Sequence, residues 1–282
     1  MQVTRTIGLI GLLALELSVA RADWRFDADT GVFYDSNLSN SDRAADEKSD
    51  LAWRGDVRAG FGFQLSRDLR LNLAGDVDGE VWDRFSGFNN IDFGGSTGLR
   101  YRFGLGRQAP WILVEDRLAY EFFDEYQRDG WSNNFRIRGG IAITDRLSVE
   151  TGYTFDHFAA RDDFWDLQGN SASVLLSFDV TSSLQISLGY AYRYGDVISY
   201  AVPPRPDILR LASEEQIVTT FGTDPLYTAY RLQASTHSVS VSARYFVAKY
   251  LSVLVSYEYA ATSHDPLEYE NHLIEAKVAF AY

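Results

Sequence analysis

The sequence predicts an all-β fold: a transmembrane, antiparallel, up-and-down β-barrel of about twelve strands. First, apolar and polar residues alternate with period two in one run after another, as they do in strands with two different faces. Second, most runs exceed the roughly five or six residues of soluble strands and match the roughly ten that cross a bilayer at a tilt. Third, short and long connections alternate between the runs, which is typical of membrane barrels.

Residues 1–22 have the pattern of a secretory signal peptide. Arg5 supplies the positive start, an apolar core ends at Leu15, and Ala20-Arg21-Ala22 is a cleavage site with small residues at its ends. The alternative is a membrane anchor, but this apolar core is too short to cross about 30 Å of hydrocarbon. We therefore expect a mature domain at 23–282 that forms the barrel.

The composition excludes several classes of site. The chain has no cysteine, so disulfides and thiolate metal sites are excluded. Cleavage removes Arg5, Arg21 and Glu16, so the net charge moves from −13 to −14. A protein this acidic repels nucleic acid, and no nucleic-acid partner is expected. The acidic stretches at 42–50 and 264–270 match no defined Ca²⁺ spacing, so we expect neither a metal nor another cofactor.

The run at 51–65 shows most clearly how the strands are recognised. Trp53, Val57 and Phe61 share one face, whereas Arg54 and Arg58 share the other. In a barrel the apolar face meets lipid and the charged face meets the lumen. The full set of runs lies at 24–35, 51–65, 69–83, 90–103, 110–123, 131–144, 147–158, 167–180, 184–195, 230–246, 250–260 and 271–282.

The connections between the runs differ in length. Short ones lie at 66–68, 144–146, 181–183 and 247–249, and longer ones at 37–50, 84–89, 124–130, 159–166, 196–229 and 261–270. The longest, 196–229, contains Pro203-Pro204-Arg205-Pro206 followed by a stretch at 207–217 that suits a short helix. It either folds over the mouth of the barrel or is a mobile surface loop, and both interpretations stay open.

The inward-facing charges sort by depth when the N-terminus is placed in the periplasm. We expect a lumenal constriction of arginines, namely Arg54, Arg58, Arg70, Arg100, Arg102, Arg117, Arg136 and Arg138. We expect an acidic vestibule nearer the outside, formed by Asp76, Asp78, Glu80, Asp92, Glu121, Asp156 and Glu258. The alternative is a ladder of ion pairs that fills the lumen, since twelve strands lie between filled and open barrels.

One charge does not fit this arrangement. Asp116 has the lipid-facing parity of Val114 and Leu118, and a charge in hydrocarbon is costly. A β-bulge near 115–117 would turn this side chain inward, so we expect one there.

The last strand carries a family resemblance. Ile274, Val278, Phe280 and Tyr282 form one apolar face, and the sequence stops on an aromatic residue. They resemble the C-terminal signal strand of Gram-negative outer-membrane β-barrels, porin-like proteins of about twelve strands. The resemblance extends over 23–282 and implies an outer-membrane location, contact with lipid and lipopolysaccharide, and reading of these four residues by the barrel assembly machinery. It leaves the oligomeric state open.

A shorter resemblance concerns the end of the first strand. Gly31-Val-Phe-Tyr-Asp-Ser-Asn-Leu-Ser39 resembles a strand end of barrels associated with exopolysaccharide export and surface-lipoprotein assembly. It implies a structural role in envelope assembly.

Three functions follow, in order of preference. The first is a passive channel for small polar or charged solutes. The second is a non-conducting scaffold barrel associated with polysaccharide export or envelope assembly. The third is an enzyme of the outer leaflet, but His237-Ser238, Asp156-His157 and His264-Asp265 lack the spacing of barrel phospholipases and omptin-type proteases. We therefore expect a transport protein without catalytic residues.

Overall fold

The computed structural model describes residues 22–265 and 267–282, so the expected signal peptide, apart from Ala22, lies outside the described residues. The described chain forms a closed barrel of twelve antiparallel strands, as the sequence predicts, with one further short strand. The strands are β1 (Ala22–Asp35), β2 (Asp50–Gln64), β3 (Leu69–Trp82), β4 (Asn90–Arg102), β5 (Trp111–Phe123), β6 (Gly130–Ala142), β7 (Leu147–Ala160), β8 (Leu167–Asp179), β9 (Leu184–Ala201), β10 (Glu214–Val218), β11 (Tyr227–Ala248), β12 (Leu251–His264) and β13 (Leu267–Ala281). The helix α1 (Pro206–Leu209) lies between β9 and β10.

Strand order follows chain order, and β1 closes the barrel by pairing with β13 from Asp27 opposite Ala281 to Asp35 opposite Leu273. β9 pairs directly with β11, so β10 is not a barrel strand. It pairs instead with residues 227–231 of β11, beyond the part that β12 reaches. β1 begins and β13 finishes at the same end of the barrel, which we call the turn end. The opposite end, which carries the longer connections, is the loop end.

The outward faces of the strands form a continuous apolar band. Trp53, Leu118 and Val255 point outward and are 57%, 50% and 51% exposed to a water-sized probe. Side chains of this size, repeated around the whole barrel, would be an intolerable patch on a protein in water. They fit a hydrocarbon layer instead, so the barrel spans a membrane through its strands. No helix in the described ranges is both long and apolar enough to cross one.

Three local predictions are wrong. β5 pairs without interruption to both neighbours, so there is no bulge at 115–117. Asp116 therefore stays on the outward face, where the side-chain amide of Asn133 on β6 donates to its Oδ1 at 3.0 Å. The loop predicted at 261–270 is instead part of the sheet, with Ala261 opposite Glu270. β12 continues to His264, and β13 begins at Leu267. The helix at 207–217 is shorter than the sequence suggests, since residues 214–218 pair with β11.

The loop end is covered by a structure that we call the lid: residues 36–49 together with the β9–β11 arm at 195–234. Residues 198–201 and 227–230 of the arm are all buried, so both of its faces are covered. The backbone N–H of Tyr200 donates to the carbonyl oxygen of Ser39 at 2.8 Å, and the Asn40 amide donates to the carbonyl of Ile198 at 3.0 Å. The two parts of the lid therefore hold each other across the mouth.

Candidate channel lumen

The most tightly connected charges lie in the loop-end half of the lumen. The Arg117 guanidinium on β5 contacts Asp76 and donates to Asp78 at 3.0 Å and to Asp92 at 2.5 Å. The carboxylate oxygens of these three aspartates lie within 4.8 Å of one another, a spacing that suits a cation. Arg117 supplies that cation itself, and three carboxylates around one guanidinium leave the cluster with a net negative charge.

Strand pairing and one glycine place this cluster. Asp78 lies directly opposite Asp92 in the β3–β4 ladder, so three acids gather on neighbouring strands. A Cβ on Gly94 would lie 2.5 Å from Asp76 Oδ2 and 2.8 Å from Arg117 Nη2. The absence of a side chain at this position therefore gives the guanidinium room to cross β4.

A second group of charges lies closer to the turn end. Glu115 on β5 is buried, with Arg58 Nη2 at 3.3 Å from one carboxylate oxygen and Arg136 Nη1 at 4.0 Å from the other. Arg58 also donates to Ser96 Oγ at 2.6 Å. One carboxylate thus holds two arginines from β2 and β6 at mid-depth in the barrel.

The remaining expected constriction residues occupy different levels. Arg54 lies toward the loop end, with its Nε 2.6 Å from Glu80 Oε1. Arg70 lies 3.5 Å from Asp23, and Arg138 lies 3.4 Å from Glu150. Arg100 lies over the Trp111 ring at 4.5 Å, and neither Arg100 nor Arg102 has an ion-pair partner among the described residues. A cavity of about 490 Å³ separates these groups and is lined by Arg58, Arg70, Arg100, Arg138, Glu115 and Glu150.

The other expected vestibule residues are not gathered at one point. Asp156 pairs with Arg193 at 2.9 Å, and Glu80 also accepts from the Trp82 indole at 3.1 Å. Glu121 lines a cavity below the lid, whereas Glu258 lies across the lumen, opposite Ser240 and Leu273. The charges are therefore layered, with acids dominant toward the lid and arginines dominant toward the turn end.

The opposite wall of the lumen carries few charges, chiefly Arg193, Arg244 and Glu258, and is otherwise lined by small residues that the sequence prediction did not single out. β8, β9, β11 and β12 turn small residues inward, chiefly Ser171, Ser173, Ser177, Ser187, Gly189, Ser238, Ser240, Ser242, Ser252 and Ser256. The inward parity also includes Leu175, which is 39% exposed. A lumen-facing leucine with that exposure lies beside open space. Serine at 238, 240 and 242, three successive inward positions of β11, is the sequence signal that could have revealed this serine wall.

The lid is fastened by an arginine that the sequence analysis did not single out. Arg205, with only 1% of its side chain exposed, donates to both carboxylate oxygens of Asp42 at 2.8 Å and to Asp207 at 2.9 Å. Asp42 belongs to the first loop and Asp207 to α1, so this Arg205 clasp ties the two parts of the lid. Its hydrogen bonds lower the pKa of Asp207 to about 2.

The histidines lie away from the lumenal charges. Tyr190 OH and His237 Nδ1 are 2.8 Å apart on the outward face, and Tyr257 OH and His272 Nδ1 make a matching pair at 2.8 Å. His157 has outward parity, opposite Asn133. Amphipathic rings with polar tips suit the membrane interface nearest the loop end.

No known protein family and no characterised protein matches this sequence. Among solved structures, an outer-membrane channel from Pseudomonas putida F1 superimposes with a TM-score of 0.65 at 11% identity, over 92% of this chain and 95% of that one. The NanC porin and a TodX monoaromatic hydrocarbon channel mutant are 10% identical, with TM-scores of 0.46 and 0.48. They cover 90% and 94% of this chain and 98% and 91% of their own. The chain thus has the fold of Gram-negative outer-membrane barrels.

Proposed function

We propose that this protein is an outer-membrane barrel acting as a passive channel for small polar or charged solutes. The observation that carries the proposal is the open strip along the serine wall, marked by the 39% exposure of the lumen-facing Leu175. A barrel that only filled its lumen with ion pairs would cover such a side chain. The hydroxyl groups along the strip can replace hydrogen bonds that a hydrated solute gives up on its way through.

The opposite wall supplies selectivity in this proposal. A solute arriving from the loop end passes carboxylates first, around Asp78 and Asp92, and then the arginines Arg58 and Arg136 near Glu115. The acidic part enriches cations, and the guanidinium groups deeper in the lumen oppose them. The two layers together favour small solutes of moderate charge over large anions.

The closed lid sets a condition on this transport. The Arg205 clasp and the Tyr200 hydrogen bond to Ser39 both close the mouth, so conduction requires the lid to move. The lid also supports the second candidate, a non-conducting scaffold barrel, because a permanently closed mouth would carry no solute. Catalysis is the least supported function, since His157, His237 and His272 face outward, away from the lumenal carboxylates.

A pair of adjacent leucines on β8 tests the channel directly. Leu175 faces the lumen, whereas Leu176 is 41% exposed on the lipid side of the same strand. Leu175→Trp should narrow the strip and reduce the swelling rate of proteoliposomes in small sugars and amino acids several-fold. Leu176→Trp adds the same ring to the lipid face, so proteoliposomes that contain this variant should swell at the wild-type rate. Equal rates for both variants and wild type, or no swelling with any of them, would contradict the proposal.

A further inference from the structure

A partly enclosed chamber lies between the lid and the charged layers of the lumen. It has a volume of about 550 Å³, which is in the range of small-molecule sites. Trp165, Tyr200, Phe123 and Phe158 contribute aromatic rings to its lining, and Glu121 contributes a carboxyl group. The chamber therefore offers rings and a charge to the same occupant.

The rings already hold one cation. The Arg128 guanidinium carbon lies 4.6 Å from the centroid of Phe88 and 4.0 Å from that of Trp165. Arg128 pairs with Glu125 at 3.1 Å and donates to Tyr200 OH at 2.9 Å. Its position shows that these ring faces suit positive charge.

One carboxylate that lines the chamber lacks a basic partner in the described part of the chain. Glu121 has no arginine or lysine within ion-pair distance among the described residues, whereas Asp156 nearby is paired with Arg193.

We propose that this chamber binds a small organic cation: a protonated amine on an aromatic body. The ammonium group pairs with Glu121. The ring packs against Phe123 and Phe158, whose centroids lie 6.2 Å apart in an edge-to-face pair. This inference deepens the proposed function by naming a class of solute, and its role in transport rests on that function.

The binding test compares three small molecules that differ in their amine and ring groups. Tyramine has the amine, the ring and the hydroxyl; 4-hydroxyphenylacetate replaces the amine with an anion; ethylammonium lacks the ring. Each is titrated at pH 7 into the full barrel in detergent, by calorimetry and by tryptophan fluorescence. Tyramine should bind at least tenfold more tightly than either of the others. Equal or tighter binding of the anion overturns the proposal.

Variants separate a specific site from a general effect. Glu121→Gln should weaken tyramine binding at least tenfold, and Glu121→Asp should restore part of it. Glu268→Gln makes the same chemical change on an exposed residue of β13 and should bind like wild type. Circular-dichroism melting shows whether each variant is folded. Unchanged affinity in a folded Glu121→Gln variant overturns the inference.

The two proposals fail in different ways. Solute flux in proteoliposomes without a preference for tyramine overturns the binding inference and leaves the channel standing. Tight, Glu121-dependent tyramine binding without flux of any solute supports the site and contradicts the channel.

Discussion

The Arg205 clasp is the point at which the lid can be opened by one substitution. Arg205→Ala removes a guanidinium with 1% of its side chain exposed and leaves Asp42 and Asp207 without it. Losing one partner of a buried ion pair costs about 3–5 kcal/mol when the other charge stays buried. Here the side chains of Asp42 and Asp207 are 20% and 40% exposed, so water can hydrate both carboxylates after the substitution. The cost in free energy is therefore smaller.

We take about 2 kcal/mol as the resulting destabilisation of the closed lid, which is a factor of about 30 in the open-to-closed ratio. The variant should therefore show a much higher open probability in planar bilayers. Limited trypsin digestion gives a second measure, since Arg43 and Lys48 in the lid should be cut faster. Arg205→Lys should give a smaller effect than alanine, because an ammonium group keeps the charge but cannot bind Asp42 through two parallel hydrogen bonds.

Arg210 provides the matched control. It is exposed, directly follows α1, and has no ion pair among the described residues. Arg210→Ala should leave open probability and digestion unchanged. If Arg205→Ala behaves like wild type, or if Arg210→Ala opens the barrel equally, the clasp does not hold the lid.

Three further predictions concern charge, pH and assembly. Replacing Arg136 and Arg138 with Ser should raise cation preference in bilayers without changing the melting temperature, if these arginines line a water-filled path; lower melting with no current in either protein would mean a structural plug. Because the pKa of Asp207 is depressed to about 2, its contribution to the clasp is complete above the ordinary aspartate value of about 4 and is lost as pH falls toward 2. Open probability should therefore rise over that window, and a pH-independent lid would contradict this. Deleting 280–282 should prevent insertion into the outer membrane, which membrane fractionation detects. Normal insertion of the shortened chain would show that Phe280 and Tyr282 are not needed for assembly.

The sequence predicted the barrel strands well because each has two chemically different faces. Where one face meets lipid and the other meets charge, period-two alternation marks the strand almost to its ends, as in β2 and β5. The loop-end parts of β9 and β11 were missed because they lack this difference between faces. Residues 198–201 and 227–230 are covered on both faces, so their sequence does not alternate and resembles a loop.

The site was less predictable because its contacts depend on side-chain reach rather than parity. Parity put both Arg117 and Asp76 on the lumenal face, in the constriction and the vestibule respectively, but nothing in the spacing indicates that one guanidinium reaches three aspartates across β4. The Arg205 clasp joins residues far apart in the chain, and no local pattern marks it. Asp116 was misjudged because its hydrogen bond comes from Asn133 on the next strand, which the sequence of β5 alone does not reveal.

The central claim is that the lumen conducts once the lid is free to move. Single-channel recording of the wild type and of Arg205→Ala in planar bilayers, under a KCl gradient, tests it most directly. We predict steady, ohmic current steps in both proteins, longer openings in the variant, and a reversal potential that indicates cation preference. Silence from both proteins, after insertion has been confirmed, would contradict the channel and favour a scaffold barrel.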